Sequence, residues 1–408
     1  MEFETDIAIV GGGLNGPALG LALSQIGLRV TIIDRLESDV RSDVGFDGRS
    51  YALALTTTRL LDGIGVWDDV AENAQPMLEI KVTDGRAGEG PSPFFMHFDH
   101  TEIEEGPMGH MVEDRHLRLA LMNATKAADG ITLMNGEEVI AQDVDASGVT
   151  LTLASGKTVR AKLLVGADGR GSETAMRAGI KRIGWGYAQT ALVCAISHEK
   201  PHGGVAHQFF MPPGPLAILP LTENRSSIVW SETAENAARI NALPDDAYLD
   251  VLRPRFGDFL GEISLAGARY TYPLSLSLAH SMVADRVALL GDAAHGVHPI
   301  AGQGLNAGMR DVAALAEVIA DALRRGQDIG SVTVLDQYQI WRRFDNTALA
   351  LATDSFNRLF SNDNPLLRIA RDVGMAAINA MPGARRGFIR EAAGLTGNLP
   401  RLMQGEPL

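Results

Sequence analysis

Cysteine is almost absent from the sequence, in which Cys194 is the single one among 408 residues. One thiol cannot form an internal disulfide, a thiolate zinc site or a dithiol redox pair. Aromatic residues are also few, at 6%, and no block of lysine and arginine interleaves with them. Together with a formal net charge of -14, this composition argues against a nucleic-acid-binding protein.

Long apolar runs are missing as well. Nowhere do about 18 uninterrupted apolar residues occur, so no segment predicts a transmembrane helix. The first residues, Met1 to Asp6, have neither the positive region nor the apolar region of a secretory signal. We therefore expect a reducing, cytoplasmic location, and a peripheral position on the inner face of a membrane stays open.

The chain does contain enough apolar residues, 46% of the total, to build one large domain or two ordinary ones. Two short β-branched runs, 6–10 and 29–33, flank a helical pattern at 14–26. Nearly continuous apolar strands around a helix are typical of a βαβ unit in a parallel sheet. Further short strands between residues 132 and 166 predict a β-meander that returns to this sheet.

The pattern changes between about residues 183 and 272. Strands there are longer and are separated by proline and glycine, which predicts a second, largely antiparallel sheet. Helical patterns follow at 304–325 and 333–360. The whole is an α/β protein.

A glycine-rich loop lies between the first strand and its helix. It reads Gly11-Gly-Gly13-Leu14-Asn15-Gly16, and residues without a Cβ are what a tight turn and a close pyrophosphate require. Asp34 stands 18 residues beyond Gly16, at the end of the second strand, where a carboxylate can accept hydrogen bonds from an adenosine ribose. The strand, glycine turn, helix and acid together predict a dinucleotide site, although the glycine turn alone is also compatible with no ligand.

Two later strand ends carry similar loops. In the first, Asp168 and Gly169 follow an apolar strand, and Asp168 could equally serve only as a cap for the helix after it. In the second, Gly291 and Asp292 follow another strand, and a helix begins near Gly304. There the carboxylate could hold a ribityl hydroxyl, and the helix N-terminus could stabilise negative charge on a flavin ring.

These three loops, in this order and spacing, resemble the single-component flavin monooxygenases with the fold of p-hydroxybenzoate hydroxylase. The chain resembles more closely the ubiquinone-biosynthesis hydroxylases of the UbiH type, and the resemblance covers nearly its whole length. One departure is Phe209, which stands where that family often has an arginine and predicts a more apolar substrate pocket. The segments that carry the resemblance are 47–53 (DGRSYAL), 65–67 (GVW), 214–221 (GPLAILPL), 227–230 (SIVW) and 291–308 (GDAAHGVHPIAGQGLNAG).

The resemblance implies a Rossmann-like FAD-binding domain of the p-hydroxybenzoate hydroxylase type. It also implies an inserted, mainly antiparallel β-sheet substrate domain and a helical C-terminus. The FAD-binding domain is expected to be discontinuous. The expected boundaries are 1–75, 101–182 and 273–340 for the FAD-binding domain, 76–100 and 183–272 for the substrate-binding domain, and 341–408 for the C-terminal helical region.

The same resemblance implies which residues contact FAD. For three of these residues a role without FAD remains possible, since Arg49 and Arg115 could be ordinary ion-pair residues and Val139 an ordinary core residue. The implied contacts are Gly11, Gly13, Leu14, Asn15, Gly16, Asp34, Arg35, Arg49, Arg115, Val139 through its backbone, Asp168, Gly169, Gly291, Asp292, Gly304, Leu305 and Asn306.

In that family NAD(P)H reduces FAD, O2 adds to form a flavin C4a-hydroperoxide, and an electron-rich phenol ring takes the distal oxygen. NAD(P)H is expected as a transient co-substrate, because no second glycine fingerprint exists. The candidate catalytic residues are His295, His298 and Pro299, since histidine titrates near neutrality, although a histidine in a buried loop can equally be structural. No HExxH-like spacing or cluster of acids predicts a metal site.

We therefore expect an FAD-dependent monooxygenase that hydroxylates the aromatic ring of a polyprenyl-phenol intermediate of ubiquinone biosynthesis. Two alternatives stay open: a flavin hydroxylase of a soluble aromatic compound, and a catalytically silent flavin-binding component of a biosynthetic complex. Association with a membrane or with such a complex, and formation of a homo-oligomer, are compatible with the sequence.

The tail from residue 364 onwards is basic, with six arginines against Asp372, Glu391 and Glu406. Arg385, Arg386 and nearby apolar residues suit an amphipathic element that contacts a membrane. The alternative is a helix that docks on the rest of the protein and turns a charged face to solvent.

Overall fold

The elements are numbered along the chain of a computed structural model that describes residues 2–43, 45, 48–298, 302–361 and 364–408. The strands are β1 (Glu2–Glu4), β2 (Ile7–Val10), β3 (Val30–Asp34), β4 (Ser50–Ala54), β5 (Ala74–Met77), β6 (Glu79–Arg86), β7 (Gly90–Asp99), β8 (Gly109–Glu113), β9 (Ile131–Asn135), β10 (Val139–Asp145), β11 (Gly148–Leu153), β12 (Thr158–Ala161), β13 (Leu163–Gly166), β14 (Arg182–His198), β15 (Val205–Met211), β16 (Gly214–Leu221), β17 (Arg225–Thr233), β18 (Ile263–Leu265), β19 (Tyr270–Ala279), β20 (Val283–Ala284), β21 (Val287–Leu289) and β22 (His295–Gly296). The helices are α1 (Asn15–Ser24), α2 (Ser38–Arg41), α3 (Leu55–Gly63), α4 (Asp68–Ala71), α5 (Asp114–Ala127), α6 (Glu173–Arg177), α7 (Ala234–Asn241), α8 (Asp245–Phe256), α9 (Gln303–Arg324), α10 (Val332–Phe360), α11 (Pro365–Ala380), α12 (Pro382–Ala392) and α13 (Arg401–Gln404). Two short 3-10 turns span His100–Glu102 and Gly291–Ala293.

A six-stranded sheet positions the three predicted loops. Its strand order is β20-β21-β13-β2-β3-β9, and every neighbouring pair except β20 and β21 is parallel. Val10 lies opposite both Ile33 and Gly166, and Gly166 lies opposite Leu289, so four strands end level with one another. The loops that follow β2, β3, β13 and β21 therefore meet at one edge, where open α/β sheets bind their ligands.

The predicted meander was wrong for its first strand. β9 pairs in parallel with β3 and belongs to the six-stranded sheet, because the 14-residue helix α5 precedes it and supplies the long crossover that a parallel strand needs. β10, β11 and β12 do form an antiparallel meander, but in a separate four-stranded sheet that β1 joins.

The second large sheet has nine strands and is antiparallel except where β15 runs parallel to β6. Helices α7 and α8 cover one of its faces over a core that contains Trp230 and Tyr248. Phe209 fills this core, which corrects the expectation that it shapes the substrate pocket. β6 and β7 join strands from residues 182–279, as the implied insertion requires, while the domain boundaries given above stay a prediction.

The nine-stranded sheet also contacts the third of these loops, which begins at Gly291. β14 and β19 extend to Arg182 and Ala279, and β19 pairs with β22, placing Leu278 opposite His295. A third sheet, with the order β4-β8-β5, lies between the two large ones and contributes Met77 and Met111 to a cluster with Ala195 and Leu221 of the nine-stranded sheet.

The basic tail docks on the protein. The carboxylate of Asp84 in β6 lies 2.6 Å from the guanidinium of Arg371, and both side chains are buried. Arg368, Arg385, Arg390 and Arg401 also pair with acids outside the tail, so five of its six arginines are engaged by the rest of the protein. The structure thus favours the docking alternative for this segment. Over the residues described above, no helix has both the length and the hydropathy to cross a bilayer.

Candidate active site

The first glycine loop is built by close backbone packing. Gly11 has φ +110°, and a Cβ there would overlap the carbonyl oxygen of Ala167 in the second loop. A Cβ at Gly16 would overlap the carbonyl oxygen of Gly11, whereas one at Gly13 would meet nothing within 4 Å. The loop therefore needs glycine at two positions for its own fold, and at Gly13 it leaves an open face beside the N-terminus of α1, where a phosphate could approach the backbone.

A small cavity of about 20 Å³ lies beside this loop. Asp34 stands near it with one carboxylate oxygen accepting from the amide of Gly12 at 2.5 Å and the other from Leu36 at 2.8 Å. These bonds hold the carboxylate at the end of β3, where a ribose is expected. The cavity walls are Gly12, Gly13, Pro17, Ile32, Ser38, Arg118, Met122, Thr125, Leu133 and Asn135.

Asn15 of the first loop packs directly against the third loop. Its side-chain amide lies so close to Gly291 and Gly308 that a Cβ at either position would overlap it. Its Oδ1 is buried and has no hydrogen-bond partner among the described residues. Asn15 therefore lies at the contact between the first and third loops, with its acceptor oxygen enclosed there. Leu14, the residue before α1, packs against the core.

Two predicted arginines are anchored by buried acids. The guanidinium of Arg49 lies 3.2 Å from Asp114, and that of Arg115 lies 2.7 Å from Glu113. Glu113 also pairs with Arg225 of β17 at 2.8 Å. Arg115 is thus held by a carboxylate that is shared with the nine-stranded sheet, while part of its own surface stays exposed.

The second loop shows a structural role for Asp168. One of its oxygens accepts from the hydroxyl of Ser172 at 2.5 Å and the other from the amide of Thr174 at 3.0 Å, which is a cap for α6. Gly169 has φ +82° in the same turn. A contact of Asp168 and Gly169 with FAD stays a prediction. So do contacts of Arg35, exposed after β3, and of Val139, buried at a register shift in β10.

Asp292 in the third loop is half-exposed and pairs with Arg170 of the second loop, Nε to Oδ2 at 3.0 Å. Arg170 also donates to the carbonyl of Val297 at 3.3 Å, and Arg182 donates to the carbonyls of Asp292 and Ala293. Two arginines therefore shape the segment from Asp292 to Val297, and neither was singled out from the sequence.

Helix α9 begins at Gln303, close to the predicted Gly304, after Gly302 in a left-handed conformation at φ +64°. The side chain of Asn306 accepts from the amide of Ala54 and the hydroxyl of Thr57, and donates to the carbonyl of Ala52. These bonds clamp the first turn of α9 to β4 and α3, so only the backbone of Asn306 remains for a cofactor. At Gly304 a Cβ would meet nothing within 4 Å, and Leu305 packs against the core.

Asp311 is the centre of a buried network that the sequence analysis missed. Its Oδ2 accepts from the amide of Gly291 at 3.0 Å and bonds with Nε2 of His295 at 2.5 Å. Its Oδ1 accepts from Nε of Arg342 in α10 at 2.8 Å and from Asn346 at 3.3 Å. Burial raises the pKa of Asp311, but His295 and Arg342 more than offset this effect and lower the pKa to about 2. One carboxylate thus ties two points of the third loop to α9 and α10.

His298 has a different environment. Its ring is fully buried, and neither nitrogen has a hydrogen-bond partner within the described part of the chain. Tyr187 meets it edge-on, with ring centroids 5.2 Å apart. Burial, and to a lesser degree the charge of Arg170, lower the pKa of His298 to about 4, so the ring is neutral at neutral pH. Pro299 and Asp47 lie outside the described residues.

A signal for the missed network was present in the helical pattern. Asp311 lies one turn after Ala307 and one turn before Leu315, on the buried side of α9. Arg342 has the same position between Tyr338 and Asn346 in α10. A charged residue in an apolar stripe requires a buried partner, but the sequence does not say which one.

Comparison with known proteins identifies the class to which this chain belongs. Residues 4–350 match the family described as FAD binding domain. The structure of p-nitrophenol 4-monooxygenase from Pseudomonas putida DLL-E4 is similar in fold, with a TM-score of 0.80 over 98% of this chain and 100% of that one, at 20% identity. The class is therefore the FAD-binding proteins with the fold of the flavin monooxygenases.

The sequence comparison is narrower. The chain is 45% identical to a ubiquinone hydroxylase (UbiL) of Rhodospirillum rubrum, covering 99% of this chain and 93% of the relative. It is 35% identical to the 3-demethoxyubiquinol 3-hydroxylase of Escherichia coli K12, covering 96% and 99%. The chain belongs to the family of ubiquinone hydroxylases, which confirms the resemblance inferred from the sequence.

The first prediction concerns Asp292. Replacing Asp292 by alanine should weaken FAD binding roughly 10- to 100-fold, because a charge-assisted hydrogen bond is worth about 1.5–3 kcal/mol. Flavin retained after gel filtration measures this effect. Asp285→Ala, an exposed aspartate in the turn before β21, is the matched control. Arg170→Met removes the ion pair but keeps the carboxylate, so it shows which of the two matters for FAD binding. Full flavin occupancy in Asp292→Ala would refute the role predicted for Asp292.

The second prediction separates the stability effect of Asp311 from its effect on the loop. Asp311→Asn should cost about 3 kcal/mol, because it leaves Arg342 buried without its counter-charge. It should also weaken FAD binding, because Gly291 and His295 lose their common anchor. Asp84→Asn removes an equally buried partner of Arg371 and should lose similar stability with unchanged FAD affinity. Urea unfolding and flavin titration of both variants measure these effects. Equal FAD affinities of Asp311→Asn and Asp84→Asn would contradict the prediction.

The third prediction concerns pH. The unfolded chain protonates His298 near its ordinary pKa of 6.5, whereas the folded chain does so only near 4. Stability is therefore lost as the pH falls through this interval. Between pH 7.5 and 5.0 the loss is about 2 kcal/mol. His298→Leu should abolish this part of the pH dependence, and urea unfolding at pH 7.5 and 5.0 measures it. An unchanged slope would show that His298 titrates normally.

Proposed function

We propose that this protein is an FAD-dependent monooxygenase that hydroxylates the aromatic ring of a polyprenyl-phenol intermediate of ubiquinone biosynthesis, with NAD(P)H and O2 as co-substrates. The observation that carries the proposal is the similarity, over nearly the full chain, to a ubiquinone hydroxylase and to a 3-demethoxyubiquinol 3-hydroxylase. The three loops at one edge of the parallel sheet support it independently.

The residues at this edge fit FAD. In our proposal the open face at Gly13 and the N-terminus of α1 receive the pyrophosphate, Asp34 the adenosine ribose, and Asp292 the ribityl chain. The first turn of α9 completes the contacts. Bound FAD supplies the redox chemistry, and the protein supplies orientation and a dry site.

We propose that the aromatic ring binds beside the contact between the three-stranded and the nine-stranded sheets. Ala52 of β4 lies next to Gly302, at the start of α9. It packs with Met77, Met111 and Leu221 in an aliphatic cluster. Such a surface excludes water from the reacting ring and suits an apolar substituent better than a charged one.

The two histidines receive different roles. His295 is bonded to buried Asp311, so we assign it to positioning the third loop. His298 is neutral at neutral pH, and neither ring nitrogen has a hydrogen-bond partner within the described structure, so we propose that it accepts a hydrogen bond from the phenol hydroxyl rather than its proton. Pro299 follows it directly in the chain and stays a candidate neighbour of the ring.

A polyprenylated substrate partitions into membranes. We therefore also propose that the protein is cytoplasmic and associates peripherally with the inner face of a membrane or with a ubiquinone-biosynthesis complex. Homo-oligomerisation stays open. The two rival functions, hydroxylation of a soluble aromatic compound and a silent flavin-binding role, require neither association nor, in the second case, turnover.

A substrate comparison is the fourth test. The FAD-loaded protein should oxidise NAD(P)H faster with a short-chain prenylphenol than with the same phenol without its chain, and it should release the hydroxylated ring. We expect kcat/KM to differ by at least about tenfold, because burying only two methylene groups is worth about 1.6 kcal/mol. Equal values would favour a soluble substrate. Absence of product with every phenol would favour the silent role.

A further inference from the structure

A cleft of about 190 Å³ lies between helix α10 and the paired ends of β14 and β19. Ala294 and His295 of the third loop form part of its wall, and Leu278 and Met282 add apolar surface. A space of this size takes a six-membered ring with substituents, since a cavity of about 150 Å³ is enough for benzene. None of the residues proposed above to contact FAD or the aromatic ring lines this cleft, which we call the α10 cleft.

Helix α10 presents a row of hydrogen-bond donors to the cleft. Gln339, Arg343 and Thr347 are spaced by four residues, which places them on one face of the helix, and all three line the cleft. Oε1 of Gln339 accepts from the hydroxyl of Ser281 at 2.6 Å and from the amide of Met282 at 3.0 Å, so its Nε2 donors remain for a ligand. The guanidinium of Arg343 is exposed and makes no ion pair with a described residue.

The acids near this row leave the charge of Arg343 available. Among the described residues, no carboxylate lines the cleft. Asp336 lies on the same side of α10 as Arg343 but two turns earlier, about 10 Å along the helix axis. Salt screens exposed charges at that separation. Asp345 is engaged by Arg342 at 2.7 Å and by Arg310 at 3.7 Å. The formal charge that a ligand meets in the cleft is therefore the positive charge of Arg343.

The inner wall of the cleft has an unused polar atom. His295 is only 2% exposed, and its Nε2 bonds to Asp311 at 2.5 Å. Its Nδ1 is buried and has no hydrogen-bond partner in the described part of the chain. A buried polar atom without a partner costs free energy, which a bound ligand recovers. A hydroxyl group both donates and accepts, so it satisfies Nδ1 in either protonation state of the ring.

We propose that the α10 cleft binds a small hydroxylated carboxylic acid, with its carboxylate at Arg343 and its hydroxyl at Nδ1 of His295. The apolar walls accommodate the carbon body between these two groups, and the donors of Gln339 and Thr347 add to the carboxylate contacts. A neutral apolar ligand is a poorer occupant, because it would leave the donor row and Nδ1 without partners. His295 and Asn346 both line the cleft and both bond to Asp311, so the ligand contacts the network that holds the third loop.

Titration calorimetry of the FAD-loaded protein with 4-(hydroxymethyl)benzoate tests the proposal. This compound carries the two groups at opposite ends of a ring, and it is not a phenol, so its binding does not depend on the proposed hydroxylation. Two relatives are the controls: 4-(hydroxymethyl)benzamide lacks the charge, and 4-methylbenzoate lacks the hydroxyl. We expect the acid to bind and each control to bind about fivefold more weakly, because an exposed ion pair or a hydrogen bond is worth up to about that factor.

Variants locate the bound compound. Thr347→Phe places a ring in the cleft and should abolish binding, whereas Ala348→Phe, at an exposed neighbour that does not line the cleft, should not. Arg343→Met should weaken binding of the acid about fivefold and leave the affinity for the amide unchanged. Arg239→Met, at an exposed arginine of α7, should bind like the original chain. Flavin content serves as the check on folding for all variants.

Four outcomes would overturn the proposal. The first is that none of the three compounds binds to the original chain. The second is equal affinity for the acid and the amide, which would exclude recognition of an anion. The third is unchanged binding by Thr347→Phe with full flavin content, which would place the compound elsewhere. The fourth is equal affinity for the acid and 4-methylbenzoate, which would contradict the contact with His295.

Discussion

The buried carboxylate of Asp311 is the interaction on which the site depends. It holds the amide of Gly291 and the ring of His295, both in the third loop, and the guanidinium of Arg342 in α10. A charge with no access to water is tolerated only because each of its oxygens is bonded, and removing any partner leaves the others uncompensated. The third loop, the start of α9 and the long helix α10 therefore keep one relative arrangement. The cofactor contacts proposed for Asp292 and Gly304 depend on that arrangement.

Close backbone packing supplies the second constraint. Gly11 allows the first loop to approach the second, and Gly291 and Gly308 allow it to approach the third, within distances that a Cβ would forbid. Since the strands before these loops end level, no long side chain is needed to bring them together. Long side chains form the ion pairs and hydrogen bonds around the loops. Arg170 and Arg182 bind the third loop, and Glu113 links Arg115 to Arg225 of the nine-stranded sheet. Close backbone packing thus sets the positions of the loops, and ion pairs hold the segments around them.

Much of the fold could be predicted from local pattern. The βαβ unit, the antiparallel sheet and the last helices follow from strand and helix periodicity, and helix α9 begins one residue before its predicted start. β9 was assigned to the wrong sheet because the sequence of a short apolar strand does not indicate the strand with which it pairs. Phe209 was misassigned because alternation along a strand does not say which face the helices cover. Asp168 and Asn306 are engaged by the protein itself, and a motif alone does not separate a cap or a clamp from a ligand contact.

By itself the sequence determined the family, the cofactor class and the three loops, because glycine, carboxylate and strand end are local requirements of phosphate and ribose binding. Only the tertiary structure decided which charges are buried together, since Asp311 and Arg342 lie 31 residues apart on different helices. Only the tertiary structure, too, paired five arginines of the tail with acids elsewhere in the protein and left Ile340 and Phe344 on the surface. Periodicity gives each helix an apolar and a charged side, but the neighbours against which it packs decide which side meets the solvent.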